Sequence, residues 1–285
     1  MKKIGINDID SLIFDMDGTL LDKNKSIQPK TKAIIEKLKN EQKKIFIATG
    51  RPWYFVKKEI NELNITSPVI SCNGAMVYDP LSDKVIFKNS IDKVEAKKIF
   101  NYLTEQKITF IMYLEDKMTR YKAIEKSPWF DWIDQSLNSR EQSQRFEVID
   151  LDWKNLDFNT DDHDIFKFLV IKKETDPKVF LKLQEFLKTF NNIYSLDSQI
   201  SVNDIMPKGS DKGKGVEFLE KNKYLNTQRT LAFGDELNDI SMFKVVKYTV
   251  AMKNAKDIVK QNALFETKSH NEEGIYHFLN DISKN

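Results

Sequence analysis

The chain carries one cysteine, Cys72, in 285 residues. A lone thiol can close no internal disulfide and build no multi-cysteine zinc site. Placed after Val69-Ile70, it reads as a small buried hydrophobe. Long apolar runs are also missing. Near the amino terminus only residues 12–14 are unbroken, too few for a signal peptide, and no stretch approaches a membrane span. Net charge is nearly absent, with 45 Lys+Arg against 43 Asp+Glu, which excludes a general affinity for nucleic acid or membrane. No internal repeat or long low-complexity linker appears. These absences predict a soluble, cytoplasmic protein, monomer or homodimer, with a length comfortable for two domains.

What is present centres on Ser11-Leu12-Ile13-Phe14-Asp15-Met16-Asp17-Gly18-Thr19. An apolar run ends in two carboxylates one residue apart and then a glycine, the pattern of a buried strand opening into a tight loop. Such a pair can divide its labour, one acid attacking and the other moving protons. An ordinary strand-ending turn has the same composition. A calcium loop is the poorer reading, because Leu20 and Leu21 follow and Ser26 stands where the terminal glutamate belongs.

The cycle repeats. Residues 29–40 read as a helix with Pro29 in its first turn, and residues 44–48 as a strand ending in Thr49-Gly50-Arg51. A helix follows Pro52, with Trp53, Val56, Ile60 and Leu63 on its buried face. Residues 68–72 are a third strand, ending in Asn73-Gly74-Ala75. This alternation implies an α/β fold with a doubly wound, parallel, Rossmann-like sheet. Asp15, Thr49 and Asn73 then share the edge beyond the strands' carboxyl ends, where ligands bind.

The middle differs. Helical patterns at 94–103 and 179–190 and strand-like runs at 108–114, 165–171 and 200–205 predict an inserted α+β lobe over residues 85–206, with a largely antiparallel sheet. The parallel-sheet core is accordingly assigned to residues 1–84 and 207–285. Trp129 and Trp132 read either as one wall of a substrate pocket or as core packing. Asp161-Asp162-His163-Asp164 reads as a solvated loop. After Pro207, a glycine-spaced basic loop through Lys212-Gly213 leads into a helix carrying Val216 and Leu219. A strand over 229–233 then ends in Gly234-Asp235-Glu236-Leu237-Asn238-Asp239, and another follows at 248–252.

Gathered at one edge, these residues suit attack on a phosphate monoester. That task needs a nucleophile, a proton carrier, a divalent cation and fixed positive charge. Asp15 and Asp235 supply hard oxygen ligands for Mg²⁺. Lys212 supplies a point charge, while the Thr49 hydroxyl and the main-chain N–H groups of Met16 and Gly50 can donate to phosphoryl oxygens.

The ordered set Asp-x-Asp-Gly-Thr, Thr-Gly-Arg, Lys-Gly and Gly-Asp-x-x-Asn-Asp resembles the haloacid dehalogenase superfamily of phosphatases. It is most similar to the Cof-type, IIB-like group with a large α+β cap, which Asn73-Gly74-Ala75 and Val250-Ala251-Met252-Lys253-Asn254-Ala255 also resemble. The resemblance implies that Asp15 attacks phosphorus, forming an aspartyl-phosphate. Asp17 would serve as acid and then base, with its main-chain carbonyl on Mg²⁺. Thr49, Lys212 and Asn238 would hold phosphate, with Asn73 on the same side. Asp235 would bind Mg²⁺, with a smaller ligand role for Glu236, and Asp239 would complete and orient the metal cluster. Lys208 is a rival to Lys212 that the family spacing disfavours. Arg51 would meet substrate, the closed cap or a fold-holding ion pair. The cap would exclude water and read the rest of the substrate. The expected function is Mg²⁺-dependent hydrolysis of a small phosphorylated metabolite, such as a sugar phosphate, nucleotide or phosphorylated cofactor. The alternatives are a phosphomutase and a non-catalytic phospho-ligand-binding regulator, for which Asp17 would be superfluous.

Overall fold

The computed structural model describes residues 4–151, 156 and 158–284. The chain opens with β1 (Ser11–Phe14), α1 (Pro29–Asn40), β2 (Lys44–Ile47), α2 (Lys57–Glu62), β3 (Val69–Ser71), β4 (Met76–Asp79) and β5 (Lys84–Lys88). Its middle is α3 (Lys93–Glu105), β6 (Phe110–Tyr113), β7 (Lys117–Tyr121), α4 (Pro128–Asn138), β8 (Glu147–Leu151), β9 (Lys167–Val170), α5 (Pro177–Leu187), β10 (Ile193–Gln199) and β11 (Val202–Pro207). It closes with α6 (Lys212–Lys221), β12 (Thr230–Gly234), α7 (Ile240–Phe243), β13 (Tyr248–Ala251), α8 (Asp257–Gln261), β14 (Phe265–Glu266) and α9 (Gly274–Ile282). Two compact units result. One comprises Met1–Trp53, Glu59–Phe87 and Asp211–Asn285; the other comprises Tyr54–Lys58 and Lys88–Ser210. None of the described helices is long and apolar enough to cross a membrane.

In the first unit the strands run β14-β13-β12-β1-β2, every pairing parallel. β1 lies between two neighbours and is buried along its whole length. Its sequence is therefore continuously apolar after Ser11 rather than alternating, as expected for a strand covered on both faces. The third strand behaves differently from a simple third repeat. It touches β2 through one parallel bridge, Ala48 to Ile70, but its ladder is antiparallel to β4. The reason lies just after it, where Cys72 and Asn73 take φ of 48° and 50° and Gly74 takes 85°. Three successive left-handed residues reverse the chain. Cys72 is buried and in no disulfide, in keeping with its apolar neighbourhood.

The second unit is a six-stranded sheet, β10-β11-β9-β6-β7-β8, antiparallel except between β7 and β8. α3 and α5 are N-capped by the Asp92 and Asp176 carboxylates, a favoured cap chemistry. Their buried faces, with Ile99, Leu103, Leu183 and Leu187, pack onto Phe110, Phe168 and Ile205. The expected strand at 200–205 is instead the turn and second arm of a hairpin. Ile200 is 84% exposed in that turn, so its apolarity is no guide to its position. Residues 54–58 join this unit through Phe55, whose ring stacks on Trp132 and whose carbonyl accepts from Arg140. Trp132 also meets Trp129 edge-on, so the two tryptophans serve packing within the unit. The acidic stretch before β9 pairs outward, Asp161 with Lys97 and Asp164 with Lys93, as a solvated loop should.

Candidate active site

β1 and β12 are adjacent and parallel, with Phe14 opposite Phe233. Their carboxyl ends therefore deliver Asp15 and Asp235 to the same edge. The Asp15 N–H donates to the Phe233 carbonyl at 3.1 Å, which extends the ladder one residue into the loop. Asp15, Asp235 and Asp239 are buried, and one oxygen of each lies within 4.8 Å of the others. This is the one such acidic group among the described residues.

The cation in this cluster is Lys212. A flexible glycine loop was the expectation, but Lys212 is the first residue of α6, and the Asp211 side chain caps that helix. Its ammonium is fully buried and donates to Asp15 Oδ1 at 2.5 Å and to Asp239 Oδ1 at 2.6 Å. A helix start is a firmer mount than a loop, because the backbone around it is fixed by the helix ladder. Burial works against the charge on Lys212, but Asp15 and then Asp239 outweigh it and hold its pKa above the usual lysine value. Lys212 is thus a permanent cation.

Asp239 organises the strand-to-helix turn. Its Oδ2 accepts from the main-chain N–H groups of Asp235 and Glu236 while Oδ1 is held by Lys212. Both oxygens are engaged, which makes Asp239 an anchor for the site. Asp235 keeps a more open carboxylate. Thr19 donates to its Oδ1 at 2.9 Å and the Asn254 amide to its Oδ2 at 3.1 Å.

One buried lysine cannot neutralise three buried carboxylates. Burial raises Asp15 to about 7, with Lys212 opposing and Asp239 and Asp17 adding to the rise. Burial, then Asp15 and Asp239, raises Asp235 to about 9. The cluster lacks two positive charges, and its donors are hard oxygens. That combination fits a divalent cation such as Mg²⁺, with Asp15 and Asp235 as its carboxylate ligands.

Asp17 faces elsewhere. Arg51 grips it with two nitrogens, Nε to Oδ2 at 2.7 Å and a terminal nitrogen to Oδ1 at 2.5 Å, while Lys25 reaches Oδ1 at 2.7 Å. Burial alone would raise its pKa, but Arg51 and then Lys25 hold it well below the usual carboxylate range. Of the roles open to Arg51, the structure shows the ion pair. Glu236 also stands apart from the acidic group, paired with Lys256 at 2.7 Å.

Thr49, Arg51, Asn73 and Asn238 are linked by main-chain and side-chain bonds. The Asn73 N–H donates to the Thr49 carbonyl and the Cys72 N–H to the Arg51 carbonyl, both at 2.9 Å, so the loops after β2 and β3 are tied together. The Thr49 hydroxyl accepts from the Arg51 N–H. Asn238 donates its amide to Asn73 Oδ1 at 2.9 Å, and Gly50 lies against the same side chain. Met16 is wholly buried.

Three partners escaped the sequence reading: Thr19, Lys25 and Asn254. Thr19 and Asn254 fall inside motifs that stood out without a role attached, while Lys25 carried no signal.

A family model described as haloacid dehalogenase-like hydrolase matches residues 12–279. The chain belongs to that family. Protein MG265 of Mycoplasma genitalium is 33% identical over 255 residues, spanning 86% of this chain and 89% of its own. The 5-amino-6-(5-phospho-D-ribitylamino)uracil phosphatase YwtE of Bacillus subtilis is 28% identical, over 84% and 85% of the two chains. Among solved structures, TM0651 from Thermotoga maritima superposes with a TM-score of 0.79 at 27% identity, over 97% of this chain and 98% of that one. Within the haloacid dehalogenase-like hydrolases, its kinship lies with the phosphatases.

Proposed function

We propose that the chain is a Mg²⁺-dependent phosphatase that hydrolyses a small phosphorylated metabolite through an aspartyl-phosphate on Asp15. The observation that carries this reading is the buried group of Asp15, Asp235 and Asp239 around Lys212. It supplies a nucleophile, hard oxygen ligands and fixed positive charge in one place. A bound Mg²⁺ would supply charge neutralisation for the phosphoryl oxygens.

Asp15 attacks phosphorus through a carboxylate oxygen as the ester P–O bond breaks, and the leaving oxygen takes a proton from Asp17. A water molecule then attacks the aspartyl-phosphate and gives its proton to Asp17. The Asp15–phosphorus bond breaks, releasing inorganic phosphate and restoring the carboxylate. Lys212 holds charge at Asp15 and at a phosphoryl oxygen. Thr49, the Met16 and Gly50 N–H groups, Asn73 and Asn238 orient the phosphoryl group. Asp17 must leave its grip with Arg51 and Lys25 to take up a proton.

Relatives are named for a phosphorylated ribitylaminouracil and for pyridoxal phosphate, which points to a primary phosphate monoester on a small polar metabolite. The test is a panel of such esters (cofactor precursors, sugar phosphates and nucleotides) assayed for phosphate release with and without Mg²⁺. The expected result is Mg²⁺-dependent release that vanishes in Asp15→Asn. Release of no phosphate from any ester by the unaltered protein would overturn the reading.

A further inference from the structure

The stretch 250–255 is the one motif whose polar residue the reaction does not use. Asn254 follows β13, and its side-chain amide is engaged at every polar position. Nδ2 donates to the Gly18 carbonyl at 2.9 Å and to Asp235 Oδ2 at 3.1 Å. Oδ1 accepts from the His270 N–H at 3.1 Å. The amide can face only this way, since the reverse orientation would set its oxygen against two others.

These partners have unequal importance. Gly18 lies in the loop that begins at the nucleophile Asp15, and Asp235 is the other carboxylate suited to the cation. One amide therefore ties the nucleophile's loop, 236 residues before it in sequence, to the metal-binding carboxylate. Together with Thr19 on Oδ1, it fixes the rotation of the Asp235 carboxylate with neutral donors, leaving its charge for a cation. The His270 bond brings in a second layer. The segment carrying His270 also accepts from Lys23 N–H through Asn271 at 2.8 Å. Glu273 accepts from the Thr31 N–H and hydroxyl at 2.9 and 2.7 Å, so the same segment braces the chain from residue 18 to α1.

We propose that Asn254 is a positioning residue for cation binding, holding the Asp235 carboxylate in its binding rotation against the Gly18 carbonyl. The inference rests on the metal-dependent reading above. Partners that orient metal ligands are worth about 10–100-fold in affinity. Asn254 is exposed on its outer side, where water can partly replace the lost donor, so the expected loss is about tenfold.

The experiment is titration of the metal-free full chain with MgCl₂, followed by calorimetry and by the rise in melting temperature, for wild type, Asn254→Ala and Asn271→Ala. Asn271→Ala loosens the same brace without touching Asp235. Expected is an Mg²⁺ dissociation constant about tenfold weaker in Asn254→Ala and unchanged in Asn271→Ala. At saturating Mg²⁺, kcat on an aryl phosphate should return to near the wild-type value. An unchanged isotherm in Asn254→Ala, or an equal shift in Asn271→Ala, overturns the positioning role. A wild-type protein that binds no Mg²⁺ overturns the metal-dependent reading itself.

Discussion

Replacing Gly18 with alanine probes the site at its narrowest point. A Cβ there would lie 2.2 Å from Asp235 Oδ2 and 2.8 Å from its Cγ. Ordinary contact between such atoms is about 3.5 Å, so the carboxylate must move by roughly 1 Å. Its retreat strains the bonds from Thr19 and Asn254, each worth about 1 kcal/mol. The backbone adds a second cost, because φ at Gly18 is +84°, a region that charges an L-residue about 1–2 kcal/mol. The total is about 2–4 kcal/mol, or a fall in melting temperature of roughly 5–10 °C for a unit of this size. Displacing a metal ligand by about 1 Å should also lower kcat/KM on an aryl phosphate about 100-fold. Gly209→Ala separates the two effects. Its φ is +81°, yet the nearest atom to its Cβ is the Asn89 amide nitrogen at 3.9 Å. It should show the backbone cost alone, with kcat/KM unchanged. Activity within twofold of wild type in Gly18→Ala would refute the placement of Asp235 beside the nucleophile's loop.

Asp15→Asn should abolish phosphate release while the metal-free protein melts no lower than wild type, because one of three crowded buried carboxylates is gone; circular dichroism during melting checks the second half. In the metal-free protein Asp15 and Asp235 titrate near 7 and 9, both above the unfolded value of 3.8. The folded state then binds more protons than the unfolded state between pH 4 and 9, so metal-free stability should fall as pH rises through that window. Cation binding must expel those protons, so Mg²⁺ affinity should rise with pH toward 9, measurable as proton release in buffers of different ionisation enthalpy. Arg51→Ala removes the main opposite charge from Asp17. The alkaline limb of the kcat/KM profile, where the acid that protonates the leaving oxygen loses its proton, should move up by about 1–3 pH units, and an unmoved limb would show that Asp17 does not govern it.

The sheet was legible because its signals are local. β1, β2 and β12 are short apolar runs ending in polar residues, and a parallel strand covered on both faces has no other way to read. Asp15 and Asp235 could be singled out because each directly follows a short apolar strand run, and Lys212 because it stands before a glycine ahead of an apolar helix face. What escaped depends on distance. Nothing in residues 208–213 announces that the helix begins at Lys212, since the two glycines suggest a loop and only the Asp211 cap says otherwise. The Arg51 grip on Asp17 joins residues 34 apart, and the Asn254 bridge joins residues 236 apart. Neither periodicity nor spacing encodes such pairs; only the folded loops bring them together.

Charge accounting connects these observations. The buried centre holds three carboxylates and one ammonium, while the neighbouring carboxylate, Asp17, is served separately by two cations. The protein thus neutralises Asp17 with its own side chains and leaves the Asp15 cluster two charges short. An uncompensated buried charge costs several kcal/mol, which groups avoid by taking up protons. The raised values at Asp15 and Asp235 are that response. On the proposed function, a divalent cation would relieve the deficit without protons and free Asp15 to attack. Supplying two more lysines instead would neutralise the cluster permanently and leave no reason for a cation or a phosphoryl group to enter. On that proposal, the deficit is what would make the site selective for a metal ion and its phosphate partner. Asp239→Asn tests this directly: by removing one negative charge while keeping the side chain's size, it should lower Asp15 and Asp235 toward the ordinary carboxylate range and weaken Mg²⁺ binding above pH 9, where Asp15 and Asp235 are otherwise both ionised. Unchanged affinity at that pH would show that shape, and not charge, recruits the ion.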